Sequence, residues 1–139
     1  MVDAVRAAWP AHKPLFVRIS ATDAAEGGWD VPDSIALAGE LKSRGVDAVH
    51  VSSGGVSSYG LKAAPLYQVP LAKAVRDAGI ATVAVGLISD PNDAEMILET
   101  GEADLIAFAR GALEDPNWPI HAHHVLDGGE YDLWPIQAR

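Results

Sequence analysis

The sequence predicts an α/β protein assembled from parallel strand–helix units, and three observations carry that prediction. Four short apolar runs rich in β-branched residues recur along the 139 residues. Between them lie stretches whose apolar residues fall at helical spacing and whose ends are legible. The runs start about 20 to 35 residues apart, the length of a βαβ repeat.

Taken in order, residues 2–9 read as a short helix or its end. The first run is Leu15-Phe16-Val17-Arg18-Ile19-Ser20. Over residues 33–44, Ile35, Leu37, Ala38 and Leu41 form a helical stripe, and Gly45 supplies the stop. The second run is Ala48-Val49-His50-Val51-Ser52-Ser53. Residues 69–78 then place Leu71, Ala74, Val75 and Ala78 three and four apart before Gly79. The third run extends from Ala81 to Ile88. Residues 91–100 follow with an Asp90 N-cap, Pro91 at the first helical position, Asp93 in the first turn and Gly101 as terminator. The fourth run is Asp104-Leu105-Ile106-Ala107-Phe108-Ala109, and after Asp115-Pro116 a last helical segment runs to Gly128-Gly129. Runs this continuous, rather than alternating, are expected in strands covered on both faces. The alternation calls for right-handed crossovers. Two architectures fit equally: a small doubly wound sheet, or part of a (β/α)8 barrel, which when whole takes ~250 residues.

Composition narrows the partners. Nineteen acidic against 10 basic side chains give a formal charge of −9, which repels phosphate backbones and anionic membranes at long range. The absence of cysteine excludes a disulfide scaffold, a thiolate metal site and a cysteine nucleophile. No stretch reaches the ~20 apolar residues of a membrane span, and no basic, apolar leader follows Met1. A single soluble, cytoplasmic domain over residues 1–139 is expected.

In parallel α/β folds ligands collect where strands end, so those segments hold the candidate residues. After the third run, Gly86 lets backbone N–H groups come close to a ligand. After the fourth, Ala109 is followed by Arg110, whose guanidinium fork suits phosphate oxygens. Together they suggest a phosphate cup; the competing reading is that Gly86 relieves crowding and Arg110 pairs with a surface carboxylate. Arg18, alone in an apolar strand, is either a buried cation in a structural ion pair or a charge beneath an electron-rich ring. Ser52-Ser53-Gly54-Gly55 is either a ligand-lining turn or simply a turn. Trp29, after Gly27-Gly28, is expected to pack on its own helix rather than cap a pocket. His121 and His124 share a helix face, but no third ligand stands at metal-site spacing, and with His123 they read as a solvated helix end. An aldolase-type lyase lacks a persuasive Schiff-base lysine, because Lys13, Lys42, Lys62 and Lys73 all fall outside the runs.

The succession Pro14-Leu15-Phe16-Val17-Arg18-Ile19-Ser20, Glu26-Gly27-Gly28-Trp29 and Val51-Ser52-Ser53-Gly54-Gly55 resembles the old yellow enzyme family of NADH:flavin oxidoreductases. Tyr67-Gln68-Val69-Pro70, Val85-Gly86-Leu87-Ile88, Ala103-Asp104-Leu105-Ile106 and Arg110 with Asp115-Pro116 continue the likeness in the same order, nearest to the xenobiotic reductase and thermophilic-like ene-reductases. The resemblance implies strands five to eight of an FMN-binding (β/α)8 barrel. It sets Arg18 near the flavin N1 and C2 carbonyl, Ser53 and Gly54 along the cofactor, and Gly86, Ala109 and Arg110 at its phosphate. It also implies hydride transfer from NAD(P)H through the flavin to an activated alkene.

The departures are informative. The family's substrate-binding histidine pair, flavin-tuning cysteine or threonine, proton-donating tyrosine and flavin-facing glutamine belong to the first half of the barrel. His121, His123 and His124 do not match that pair. Ala109 stands where the family often has glycine, and its methyl is expected to crowd the phosphate. Arg139 stands near the place of an arginine that reaches a neighbouring subunit's site, but Gln137-Ala138 lacks the usual aromatic before it. Four strands alone would also leave two edges and one apolar face open. Self-association, or a complementary first-half polypeptide, is therefore expected, and a non-catalytic half-barrel that binds FMN or phosphate is the alternative to an enzyme.

Overall fold

The structure, a computed structural model, describes residues 1–54 and 62–128. Helix α1 (Val2–Ala8) leads into strand β1 (Phe16–Ser20), helix α2 (Val31–Ser43), strand β2 (Ala48–Ser52) and helix α3 (Val69–Asp77). Strand β3 (Ala81–Ala84), helix α4 (Pro91–Glu99), strand β4 (Leu105–Ile106) and helices α5 (Arg110–Glu114) and α6 (Trp118–Asp127) follow. The four strands form one sheet in the order β1-β2-β3-β4, every pair parallel. That order is what successive right-handed crossovers on one side of a sheet produce.

Local chemistry explains the ends. Asp30 and Asp33 cap α2 reciprocally, each carboxylate accepting from the other's backbone N–H. Asp90 accepts from Asn92 N–H at 2.8 Å and opens α4. Gly45, just past α2, takes a φ of +78°, a left-handed conformation that suits glycine after a helix. Two aspartates at strand entrances repeat one device: Asp47 accepts from Leu15 N–H at 2.7 Å and Asp104 from Thr82 N–H at 2.8 Å. Each ties the start of its own strand to the preceding one. Arg76 of α3 reaches the other oxygen of Asp104, 3.1 Å from Nε, and so fixes a helix to the same point.

Two runs are shorter as strands than their apolar length suggests. Of residues 81–88 only the first four join the ladder, because the chain turns at Gly86 (φ +130°) and Leu87 (φ +56°). Of residues 104–109 only Leu105 and Ile106 are strand, although Asp104 and Ala107 still donate to Thr82 and Ala84 carbonyls. The last unit also contains a short helix, α5, that starts at Arg110, before the one expected after Asp115-Pro116.

The two sheet faces differ. Val49, Val51 and Ala84 are buried with Ala38 and Leu41 of α2, Ala72 and Val75 of α3, and Ala94 and Ile97 of α4. Val17, Ile19 and Ile106 pack against that cluster. Burial of each large aliphatic side chain there stabilises the fold by roughly 1.5–3 kcal/mol. The register puts Arg18, His50, Val83 and Leu105 on the other face, with Phe16 two residues before Arg18. Phe16 and Leu105, on the two edge strands, are 48% and 46% exposed. Among the described residues, coverage on both faces, expected from the continuous runs, therefore does not hold for β1 and β4. No helix among the described residues is long and apolar enough to cross a membrane.

Candidate functional site

The carboxyl ends of all four strands open into one cavity of about 580 Å³. It lies within the ~300–1,000 Å³ span of small-molecule sites. Arg18 from β1, Ser52, Ser53 and Gly54 from the end of β2, the loop from Val85 to Ser89, and the segment from Ala107 to Gly111 all line it. The structure thus brings all six sequence-identified residues, Arg18, Ser53, Gly54, Gly86, Ala109 and Arg110, to a single concavity. Gly55 and Arg139 lie outside the described residues.

The wall between the β2 and β3 ends is held by polar and steric contacts. Gln68, 5% exposed at the start of α3, donates through Nε2 to Ser53 Oγ at 2.7 Å and to Tyr67 Oη at 2.9 Å. Gly86 then passes directly against this pair. A Cβ built on Gly86 would meet Gln68 Cβ and backbone N at 3.1 Å and Tyr67 Cδ1 at 3.3 Å. Its φ of +130° is itself open to glycine and strained for other residues. Crowding is therefore a sufficient reason for glycine here, and the same bare backbone faces the cavity. Two neighbours, Leu66 (φ +63°) and Leu87 (φ +56°), hold left-handed conformations unusual for leucine, and Leu66 N–H donates to the Gly86 carbonyl at 2.9 Å. Backbone strain of this kind collects at ligand sites.

The opposite wall depends on Trp118. Its indole N–H donates to the Ser89 carbonyl at 2.8 Å, and its ring lies 4.5 Å from that of Phe108. One side chain from α6 therefore pins both the β3–α4 loop and the segment carrying Ala109 and Arg110. Ala109 has a φ of −126°, so the position does not require glycine, and its methyl is accommodated at the cavity wall.

Charge is the most informative feature. Arg18 is exposed at the cavity rather than buried in a structural ion pair. Among the described residues neither Arg18 nor Arg110 forms a hydrogen bond or ion pair, whereas Arg6, Arg44, Lys73 and Arg76 are each matched to a carboxylate. Beside Arg18 in the register stands His50, whose Nε2 is buried without a hydrogen-bond partner. Burial first, and the Arg18 cation second, hold this imidazole below its ordinary pKa. In a chain of charge −9, two unmatched guanidinium groups at one concavity favour an anionic ligand.

Other candidates lie elsewhere. Trp29 donates to Ser34 Oγ of its own helix at 2.7 Å, and Ser34 in turn donates to the Ala21 carbonyl at 3.0 Å. His121 Nδ1 sits 2.6 Å from an Asp115 oxygen and His123 Nδ1 2.7 Å from one of Asp127, all within or next to α6. Sequence reasoning assigned no role to Gln68, Tyr67, Phe108, Trp118 or Glu114. The first two stand inside a recognised motif, but only the fold reveals that Gln68 is buried.

Comparison with known proteins identifies relatives of the chain. The model of the NADH:flavin oxidoreductase / NADH oxidase family matches residues 1–128. An NADPH dehydrogenase of Geobacillus sp. (strain WCH70) is 47% identical over 127 residues, covering 91% of this chain and 37% of that protein. One of Halalkalibacterium halodurans is 51% identical over 110 residues, 78% of this chain and 32% of that protein. Another, from Bacillus subtilis, is 43% identical over 117 residues, 84% and 34% of the two chains. The chain spans about a third of the length of these relatives.

Proposed function

The chain belongs to the NADH:flavin oxidoreductase / NADH oxidase family, and from that premise we propose that it supplies the FMN-holding segment of an NAD(P)H-dependent ene-reductase. The single observation that carries this reading is the pair of arginines at one cavity, unmatched among the described residues, with the Gly86 backbone between strand ends. The residues suit the group. Arg110 and the bare backbone at Gly86 would hold the phosphate, Ser53 and Gly54 would run along the cofactor, and Ala109 would flank the phosphate. Arg18 would set positive charge beside the pyrimidine end of the ring, where it favours the reduced, anionic form.

FMN held by these residues would supply hydride-transfer chemistry between a reduced nicotinamide and the β-carbon of an activated alkene, and the balancing proton would come from the proton-donating tyrosine of the family's first half. The protein's part is binding and charge. Gln68 fixes the Ser53 hydroxyl and Tyr67, and Trp118 fixes the two loops on the far wall, so that part of the ordering a ligand would require is already in place. In this reading the domain is a single partial (β/α)8 barrel over residues 1–139, equivalent to strands five to eight, and works in the cytoplasm. Its open edges at β1 and β4, with Phe16 and Leu105 exposed, are covered by a complementary first-half polypeptide or by a second copy. The residues that activate the alkene come from that first half.

The test is titration of FMN fluorescence with purified chain and variants. Arg110→Ala is expected to weaken binding about tenfold, the worth of a charge-assisted contact, and Arg139→Ala to weaken it less. Equal losses, or no FMN binding by the parent chain, would contradict the assignment. The open sheet edges favour one second reading, a non-catalytic module that binds FMN and assembles with another polypeptide. NADPH oxidation with an enone acceptor separates the two: turnover by this chain alone rejects the second reading, and binding without turnover supports it.

A further inference from the structure

We propose that Glu114 is a specificity-determining residue of the cavity, a carboxylate on its wall that opposes the phosphate end of a bound flavin nucleotide. This rests on the FMN reading above. Arg110 and Glu114 stand four apart in α5, which places them on the same helical face, and both line the cavity. Glu114 is the one acidic side chain among the described lining residues, which otherwise carry the Arg18 and Arg110 cations. It has no hydrogen-bond or ion-pair partner among the described residues, unlike Asp3, Asp47, Asp77 and Asp104, which cations match. Its charge is therefore felt by whatever anion Arg110 attracts. The consequence is a seat that discriminates less strongly between phosphorylated and unphosphorylated flavin than its arginines alone would. The competing role for such a carboxylate is to accept a hydrogen bond from a ligand hydroxyl, which would help both flavins alike.

Glu114→Gln separates these roles, because it removes the charge and keeps an acceptor oxygen in an exposed position. FMN and riboflavin are titrated by fluorescence against the parent chain, Glu114→Gln and Arg110→Ala at low ionic strength. The expected result is FMN affinity raised two- to fivefold by Glu114→Gln, the scale of a roughly 0.2–1 kcal/mol exposed charge interaction, with riboflavin unmoved. The gain should shrink at about 0.5 M salt, where screening acts within a few ångströms. An FMN affinity that is unchanged or lowered, or a riboflavin affinity that changes equally, overturns the proposal. Arg110→Ala distinguishes the two levels. If it lowers FMN binding while Glu114→Gln has no effect, the Glu114 role alone fails; if FMN binding is indifferent to Arg110→Ala, the phosphate seat fails and the Glu114 role with it.

Discussion

The helix-packed face of the sheet and its carboxyl rim are built from the same four strands under opposite rules. On the packed face, Val49, Val51, Val75 and Ile97 are fully buried among other aliphatics, and shape alone decides what fits. At the rim, polar groups converge, two leucines hold left-handed backbone, and two arginines stand without a carboxylate partner among the described residues. The contrast teaches where stability and function reside: the packed face makes a stiff platform, and the rim departs from well-satisfied local structure in order to meet a ligand.

The sharpest way to break this division is to damage one side and measure the other. Ile97→Ala leaves a cavity in the packed face and should cost about 2–5 kcal/mol in urea unfolding. FMN binding by the folded fraction should stay near the parent value. Gly86→Ala acts on both sides, since its methyl meets Gln68 backbone N at 3.1 Å and its φ is +130°. A loss of about 1–3 kcal/mol together with weaker FMN binding is expected, whereas a loss of binding alone would mean that the loop yields. Arg110→Ala is the converse case: its stability should lie within about 0.5 kcal/mol of the parent, even as FMN binding falls.

The smallest effect concerns His50, on the open face next to Arg18. Its pKa is lowered in the folded state, so the unfolded chain binds the extra proton more readily. The stability this gives is present above the ordinary value of 6.5 and is lost as pH falls from there through the folded pKa. His50→Leu should flatten that limb of the pH–stability curve and, by removing a buried nitrogen without a partner, raise stability above it by about 1 kcal/mol. An unchanged slope would show that His50 does not titrate differently in the two states.

Much of the platform was legible in the sequence because it follows from periodicity and punctuation. Asp90-Pro91, Gly45, Gly79 and Gly101 mark helix ends that the structure places within two residues of the expected bounds. Strand lengths were less legible, since an apolar run such as Ala81 to Ile88 continues through the turn at Gly86 into residues that line the cavity instead of the sheet. The convergence of Gly86 and Arg110 was legible from topology, because parallel strand ends must gather at one edge. Arg18 shows the limit. Spacing leaves open a buried ion pair or a charge facing a ligand, and only the fold, with β1 at the sheet edge and the side chain at the cavity, separates the two. Trp118 was invisible for a related reason: its hydrogen bond to Ser89 spans 29 residues, and no local pattern encodes it.

The central claim is that Arg110 seats the phosphate of a flavin nucleotide at the carboxyl rim. The phosphorus NMR resonance of FMN, followed while protein is added, reports on that phosphate directly. A shifted resonance is expected with the parent chain and a much smaller shift at matched occupancy with Arg110→Ala; the same shift with both proteins would mean that Arg110 does not hold the phosphate.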